Sequence, residues 1–457
     1  MNYRSWRCSP LVPLPWLTAL CLLAATVGLA PTAFGESTPH SPPAVIETAA
    51  GVTVAALPGL SSCSANGRQS PSGLQHLTSV PGKASQLMFS DRRGQLYLTV
   101  ADGDGAPPKV FLDLTKYQAF GFEAAGTGGL SGFALHPEFA QPGKAGFGRL
   151  YTSYSTRADT GRAAYLDEDA GTHESVIREW TLQDPESERF VGRSRELFRL
   201  GQLNVRHQIG FLAFNPTAKP GEADYGVLYA TIGPAAPAIG EEGNPDATPG
   251  DATPENGILR INPLTGVAPA RYGIPEDQSR NQATVPELWL KGLEDPRHLS
   301  WDQATGALFI TGARHVYRIP RGTIPSTPTF SASDTLAPQL QQKNSDAQVY
   351  TSGYRYHGSV SSLRGHFVLA DGFRKRLLHF PLPEPGRNSG SASGDDSVSA
   401  LTEAPLQVLP LPALARQAGA EREGQGLFLG SDSAGELYLL TQSDGCIRHL
   451  SAQHREQ

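Results

Sequence analysis

The stretch LNVRHQIGFLAFNPTAKPGEADYGVLYATIGP (203–234) places His207 and Gln208 directly ahead of a short apolar run, Phe211 to Phe214. A second run, Val227 to Ile232, follows a polar segment rich in Pro, Gly and Asp, which is the signature of a strand–loop–strand hairpin. A residue just before a strand is delivered to the rim of a sheet assembly, where a rigid scaffold usually carries its chemistry. A neutral imidazole at such a rim is a general base near neutral pH. His207 is therefore the first candidate for function. An acidic loop, Glu241, Glu242, Asp246, Asp251 and Glu255, is a second one, but its spacing fits no EF-type calcium loop and reads as solvated. No Gly-x-Ser-x-Gly, His-Glu-x-x-His or phosphate loop occurs, so hydrolase readings have no motif behind them.

The elements that must position His207 recur along the chain. An apolar strand, a turn with Asp, Pro or Gly, and a second strand containing Leu-Tyr or Leu-Phe appear at Gln86–Val100, Gly132–Tyr154, Gly210–Ile232, His298–Gly312 and Gly426–Thr441. A weaker copy spans Tyr354–Asp371. His136, in the first turn of its unit, reads as structural. Each unit is too small to bury its own apolar face and must stack on neighbours. Six units therefore predict an all-β, six-bladed β-propeller, with one strand of the closing blade taken from the other chain end. Two β-sandwiches are the alternative, disfavoured because no composition break halves the repeats.

The 457 residues include 49 Gly, 37 Pro and only 2 Met, a balance that suits short strands and many turns. The formal charge of −6 offers no basic stripe for nucleic acid. Residues 1–35 have the form of a signal peptide: Arg4 and Arg7, an apolar Leu17–Leu29, then small residues at Ala30, Ala33 and Gly35. Residues 36–58 read as a flexible linker, 59–452 as the propeller and 453–457 as a tail. Pro383–Ala400 reads as a mobile surface loop. The expected location is periplasmic or secreted, with no stable membrane insertion after signal removal. Cys8 and Cys21 leave with the signal, so Cys63 and Cys446 remain, one near each end. They are read as a disulfide that ties the ring closed, the alternative being two buried free thiols.

The segments GTGGLSGFALHPEF (126–139), HQIGFLAFNP, GILRINP and KGLEDPRHLSWDQATGALFITG (291–312) occur in the order seen in soluble glucose/sorbosone dehydrogenases. The chain also resembles that family at YRYHGSVSSLRGHFVLADGFRKRLLHF and DSAGELYLL, so that the likeness covers about Leu74 to Leu450. The resemblance implies a six-bladed propeller that uses pyrroloquinoline quinone (PQQ) and calcium to oxidise aldose sugars outside the cytoplasm. It implies His207 as the base that takes the sugar hydroxyl proton while hydride moves to the quinone. Gln208 adjoins it in the same motif, and His357 and Arg374 stand where the family places cationic cofactor contacts. The metal ligands and the electron acceptor are not identified by it.

This sequence departs from the family pattern at several points. The acid before the base is Arg206, the family's Gly-Leu-Arg-Asn-Pro reads Gly292-Leu293-Glu294-Asp295-Pro296, Thr127 replaces Gln or Asn, and Gly233-Pro234 replaces Gly-Asp. Two functions follow. One is an exported quinone-dependent sugar or alcohol dehydrogenase. The other is a non-catalytic propeller that binds a carbohydrate or a protein partner on the same rim.

Overall fold

A computed structural model describes residues 45–47, 52–57, 73–101, 106–117, 120–124, 128–157, 173–202, 209–234, 254–266, 271–278, 285–323, 340–341, 349–382, 407–409 and 426–452. They form 25 strands. β1 (Val45–Glu47) and β2 (Val52–Ala56) come first. β3 (Leu74–Val80), β4 (Lys83–Asp91), β5 (Gln95–Val100) and β6 (Lys109–Asp113) make blade 1. β7 (Leu130–Leu135), β8 (Arg149–Arg157), β9 (His173–Leu182) and β10 (Gly192–Gln202) make blade 2. β11 (Ile209–Phe214), β12 (Leu228–Ile232), β13 (Gly257–Ile261) and β14 (Leu288–Leu290) make blade 3. β15 (Pro296–Trp301), β16 (Leu308–Gly312), β17 (His315–Ile319) and β18 (Leu340–Gln341) make blade 4. β19 (Tyr350–Arg355), β20 (His366–Asp371), β21 (Arg376–Pro381) and β22 (Gln407–Leu409) make blade 5. β23 (Leu427–Ser431), β24 (Leu437–Thr441) and β25 (Cys446–Ala452) begin blade 6, and β2 completes it by antiparallel pairing with β25. Among the described residues no helix is long and apolar enough to cross a membrane.

The ring is a six-bladed β-propeller. β23 and β3, the inner strands of the last and first blades, meet in parallel at Ser431 and Thr78. Six buried apolar clusters lie one at each junction between neighbouring blades, as stacking of units that cannot bury their own faces requires. One part of the expected domain layout needs correction. The stretch read as linker contains β2, whose Val52, Thr53 and Val54 are buried, so the ring begins before residue 59. The chain exchanges an exposed edge on β25 for a paired one, which is the closure expected of a propeller. Pro383–Ala400 and residues 453–457 lie outside the described residues.

The recurrent Asp-turn-Leu-Tyr pattern has a local cause. Asp91 Oδ1 accepts the amide of Gln95 at 3.0 Å across the β4–β5 turn, while Tyr97 donates its hydroxyl to Oδ2 at 3.0 Å. Asp432 does the same with Glu436 N at 2.9 Å and the Tyr438 hydroxyl at 3.1 Å. The carboxylate thus satisfies a turn amide and pins the next strand. His136 is a blade-turn residue as expected: it is buried, and its Nδ1 accepts the Glu138 amide at 3.1 Å.

Candidate functional site

The starts of the six inner strands share one rim, because hydrogen bonds link each start to the next blade. Leu130 N donates to Arg92 O at 3.1 Å, and Ile209 N to Ser175 Oγ at 3.3 Å. Leu293 N donates to Asn256 O at 3.1 Å, and Tyr350 N to Ala313 O at 2.8 Å. Thr351 Oγ1 donates to Leu427 O at 2.5 Å, and Gln442 closes the circle between Gly426 N and Leu74 O at 2.8 and 3.1 Å. The backbones approach closely here. Gly129, at φ 113°, would place a Cβ 2.1 Å from Arg92 O, so only glycine fits. Five inner strands shift register in their opening residues, at Leu74/His76, Leu130/Gly132, Ile209/Leu212, Pro296/His298 and Tyr350/Ser352. Such bulges re-aim side chains at the mouth of a closed sheet assembly.

Below that mouth the axis is filled. His76 of blade 1 packs on Phe211 of blade 3 with ring centroids 4.3 Å apart, a contact between non-adjacent blades that is possible only across the axis. Phe211 meets His298 at 4.3 Å, His298 meets Tyr354 at 4.7 Å, and His76 meets Phe133 at 4.6 Å. His298 Nε2 lies 3.0 Å from the Tyr354 hydroxyl, whereas the Nδ1 atoms of His76 and His298 are buried without a partner among the described residues. Burial pushes His76 down to about 3, against a hydrogen bond to the Phe133 backbone. It also holds His298 well below the usual imidazole range, helped by His76 nearby. The mouth is therefore a basin with an aromatic and imidazole floor, not an open channel.

The candidate residues distribute unevenly around it. His207 and Gln208, with Arg206 and Thr127, lie outside the described residues; β11, which follows them directly, opens at the basin. Arg374 is exposed in the β20–β21 turn, and that turn stands at the basin end because Asp371 pairs with Tyr350. Asp371 accepts the Arg374 amide at 3.1 Å and the Arg376 guanidinium at 3.0 Å. His357 is not with them. It follows the far end of β19, a strand of six residues that carries the chain roughly 17 Å from the basin at ~3.3 Å per residue. There its Nε2 sits 2.8 Å from Asp302 Oδ1, and Arg355 Nη1 is 2.7 Å from Oδ2. Burial would raise the Asp302 carboxyl, but His357, Thr305 and Arg355 hold it below the usual carboxylate range. The expectation that His357 joins Arg374 at one site is thus corrected: a strand's length separates them.

The family-pattern departures at 294–297 have defined partners. Glu294 Oε2 lies 2.5 Å from His315 Nδ1 and Oε1 lies 3.0 Å from Arg314 Nε. The hydrogen bond from His315 holds Glu294 below its ordinary value, against partial burial and with Arg314 assisting. Arg297 turns back onto Asp295, Nη2 to Oδ2 at 2.5 Å. The two acids are therefore neutralised locally. Cys446 is fully buried at the start of β25; Cys63 lies outside the described residues. Of the acidic loop only Glu255 is described. Among the described residues no group of three or more His, Cys, Asp or Glu could hold a metal.

Sequence reasoning passed over the axial layer. Its signal was a histidine among apolar strand residues, in LQHLTSV and in PRHLSW. That signal also fits an ordinary buried histidine, and only the closed ring brings the two together.

No protein-family model matches the chain. The HIPL1 protein of Arabidopsis thaliana is 22% identical over 444 residues, covering 80% of this chain. This chain spans 60% of that relative's length. Among solved structures, the apo soluble aldose sugar dehydrogenase of Escherichia coli is similar at 18% identity and TM-score 0.53, over 87% of this chain and 98% of that one. The PQQ-bound aldose sugar dehydrogenase of Streptomyces coelicolor is similar at 18% identity and TM-score 0.54, over 89% and 99%. At these identities the likeness shows a shared fold, the propeller of soluble sugar dehydrogenases.

Proposed function

We propose that this protein is an exported, quinone-dependent dehydrogenase of the sugar or alcohol kind, acting at the basin on which β11 opens, with His207 as its base. The observation that carries this reading is the shared mouth. The start of β11 and the basic turn Arg374-Lys375-Arg376 stand at one rim of a propeller of the sugar-dehydrogenase fold, over a floor closed to solvent.

The residues present fit PQQ, which carries three carboxylates. Arg374 and Lys375 offer charge-assisted hydrogen bonds, and Gln208 adjoins the base. Glu294 does not repel an anion strongly, since Arg314 and His315 already neutralise it. When bound, the quinone supplies the two-electron acceptor for the hydride leaving the substrate carbon. His207 would accept the hydroxyl proton at a ring nitrogen. The closed floor keeps water from reaching that proton from below. Calcium at the same mouth is part of the proposal by resemblance, as is a small sugar or alcohol as substrate. Replacing His207 by Ala tests the reading. Dye-linked turnover of the PQQ- and calcium-loaded protein should vanish while the unfolding free energy stays within about 0.5 kcal/mol of the parent. Unchanged turnover would remove His207 from the chemistry.

One observation favours the second reading, a non-catalytic propeller with a carbohydrate or protein partner. The position of the family's quinone-facing Arg holds Glu294, committed to ion pairs of its own.

A further inference from the structure

The turn between β16 and β17 runs from Gly312 to His315 and stands at the basin end of blade 4, because Gly312 pairs with Pro296 at the start of the inner strand β15. Ala313 O accepts the amide of Tyr350 at 2.8 Å, and Tyr350 pairs with Asp371, which holds the blade 5 turn that carries Arg374 and Lys375. The two basic turns are therefore neighbours on one rim. Arg314 is held in the first of them by its inner nitrogen. Nε is buried and lies 3.0 Å from Glu294 Oε1, while Glu294 Oε2 lies 2.5 Å from His315 Nδ1. The Glu294 amide donates to the Tyr317 hydroxyl oxygen at 3.4 Å, which fixes the acid from its backbone side. The Arg314 side chain keeps 34% of its surface exposed, and Nη1 and Nη2 have no partner among the described residues.

Given the quinone-dependent reading, on which this rests, we propose that Arg314 is a cofactor-binding residue of the basin, its Nη1 and Nη2 edge taking a carboxylate of the quinone. A guanidinium gives two parallel N–H donors to a carboxylate, and one already anchored through Nε loses little freedom in doing so. A ligand with three carboxylates is best matched by several cations. Arg374 and Lys375 come from blade 5, and Arg314 adds one from blade 4. Glu294 then has a positioning part: it removes a positive charge from its own place in the chain and returns one by holding Arg314. Arg297 does not serve in this way, since it turns back onto Asp295.

The test is titration of the purified protein with PQQ in the presence of calcium, read by quinone absorbance. Arg314→Ala should weaken binding at least about tenfold, the loss expected for a hydrogen bond to a charged group. That variant also uncovers the Glu294 carboxylate, so the deciding protein is the double variant Glu294→Gln with Arg314→Ala. It too should bind at least about tenfold more weakly than the parent. Arg314→Lys, which keeps Glu294 neutralised and the turn intact, should still bind several-fold more weakly because the planar fork is lost. A double variant that binds like the parent would show that Arg314 only neutralises Glu294 and would overturn the proposal, as would unchanged affinity in Arg314→Ala. Both of those outcomes leave quinone binding by the parent standing. A parent that takes up no PQQ at saturation would overturn the quinone-dependent reading and this proposal together.

Discussion

The axial histidines make stability depend on pH in a calculable way. His76 titrates in the folded protein at about 3, because burial disfavours the imidazolium, and in the unfolded chain near 6.5. Between those values the unfolded state binds the extra proton, so protonation favours unfolding. The neutral histidine is fully accommodated above 6.5, and stability falls as pH drops below it. At 1.36 kcal/mol per pH unit, lowering pH from 7 to 5 costs about 2 kcal/mol through His76 alone. His76→Phe removes this proton and leaves a ring of similar shape between Phe133 and Phe211. The variant deletes the orphan Nδ1 but also the hydrogen bond to the Phe133 backbone, so it should be destabilised by about 1 kcal/mol at pH 7, a cost that does not change with pH. Urea unfolding at pH 7, 6 and 5 measures the difference. The parent should lose about 2 kcal/mol more than His76→Phe between pH 7 and 5. Parallel losses in the two proteins would show that His76 is not buried neutral and that the floor is hydrated or open.

Asp302→Asn separates the two ends of the ring. The carboxylate is 1% exposed and holds Arg355 and His357, so the change should cost about 3 kcal/mol in denaturant unfolding. Any dye-linked kcat of the folded variant should be unchanged; a lost kcat at intact fold would place the chemistry at the far rim. Cys63 and Cys446 are proposed to pair. Leu57, six residues before Cys63, already donates its amide to Ile447 O at 3.0 Å. Non-reducing peptide mapping should recover the linked peptides, and reduction should destabilise the protein by on the order of 5 kcal/mol by the loop model. Two free thiols in protein purified under oxidising conditions, or Cα atoms more than ~7 Å apart, would refute the bond.

The propeller was legible because its cause is repeated. Each Asp turn and each Leu-Tyr strand leaves a mark in the sequence, and six marks suffice to count blades. β2 was missed because Val52–Ala56 is a single outer strand of ordinary composition, and its partner β25 lies some four hundred residues later, as in Val54 opposite Leu450. The site was legible only where a motif carried it. His207 stood out by its place before β11, and Arg374 by its turn. His357 was misplaced because sequence spacing does not reveal at which end of a strand a residue emerges: six residues of β19 intervene between the basin and the Asp302 contact. The pairs Glu294–His315 and Glu123–His173 join separate segments, and the histidine floor joins blades 1, 3 and 4 across the axis. No local pattern announces contacts of that kind.

The proposed function requires this ring to hold a quinone at the basin. Adding PQQ with calcium to the purified protein, and following quinone absorbance and the unfolding temperature together, tests it most directly. A stoichiometric spectral shift with a raised unfolding temperature is expected, since a ligand held only by the folded ring stabilises it. Binding should weaken when Arg374 and Lys375 are both replaced by Ala. No shift in either signal at saturating PQQ and calcium would contradict the account and leave the non-catalytic propeller in its place.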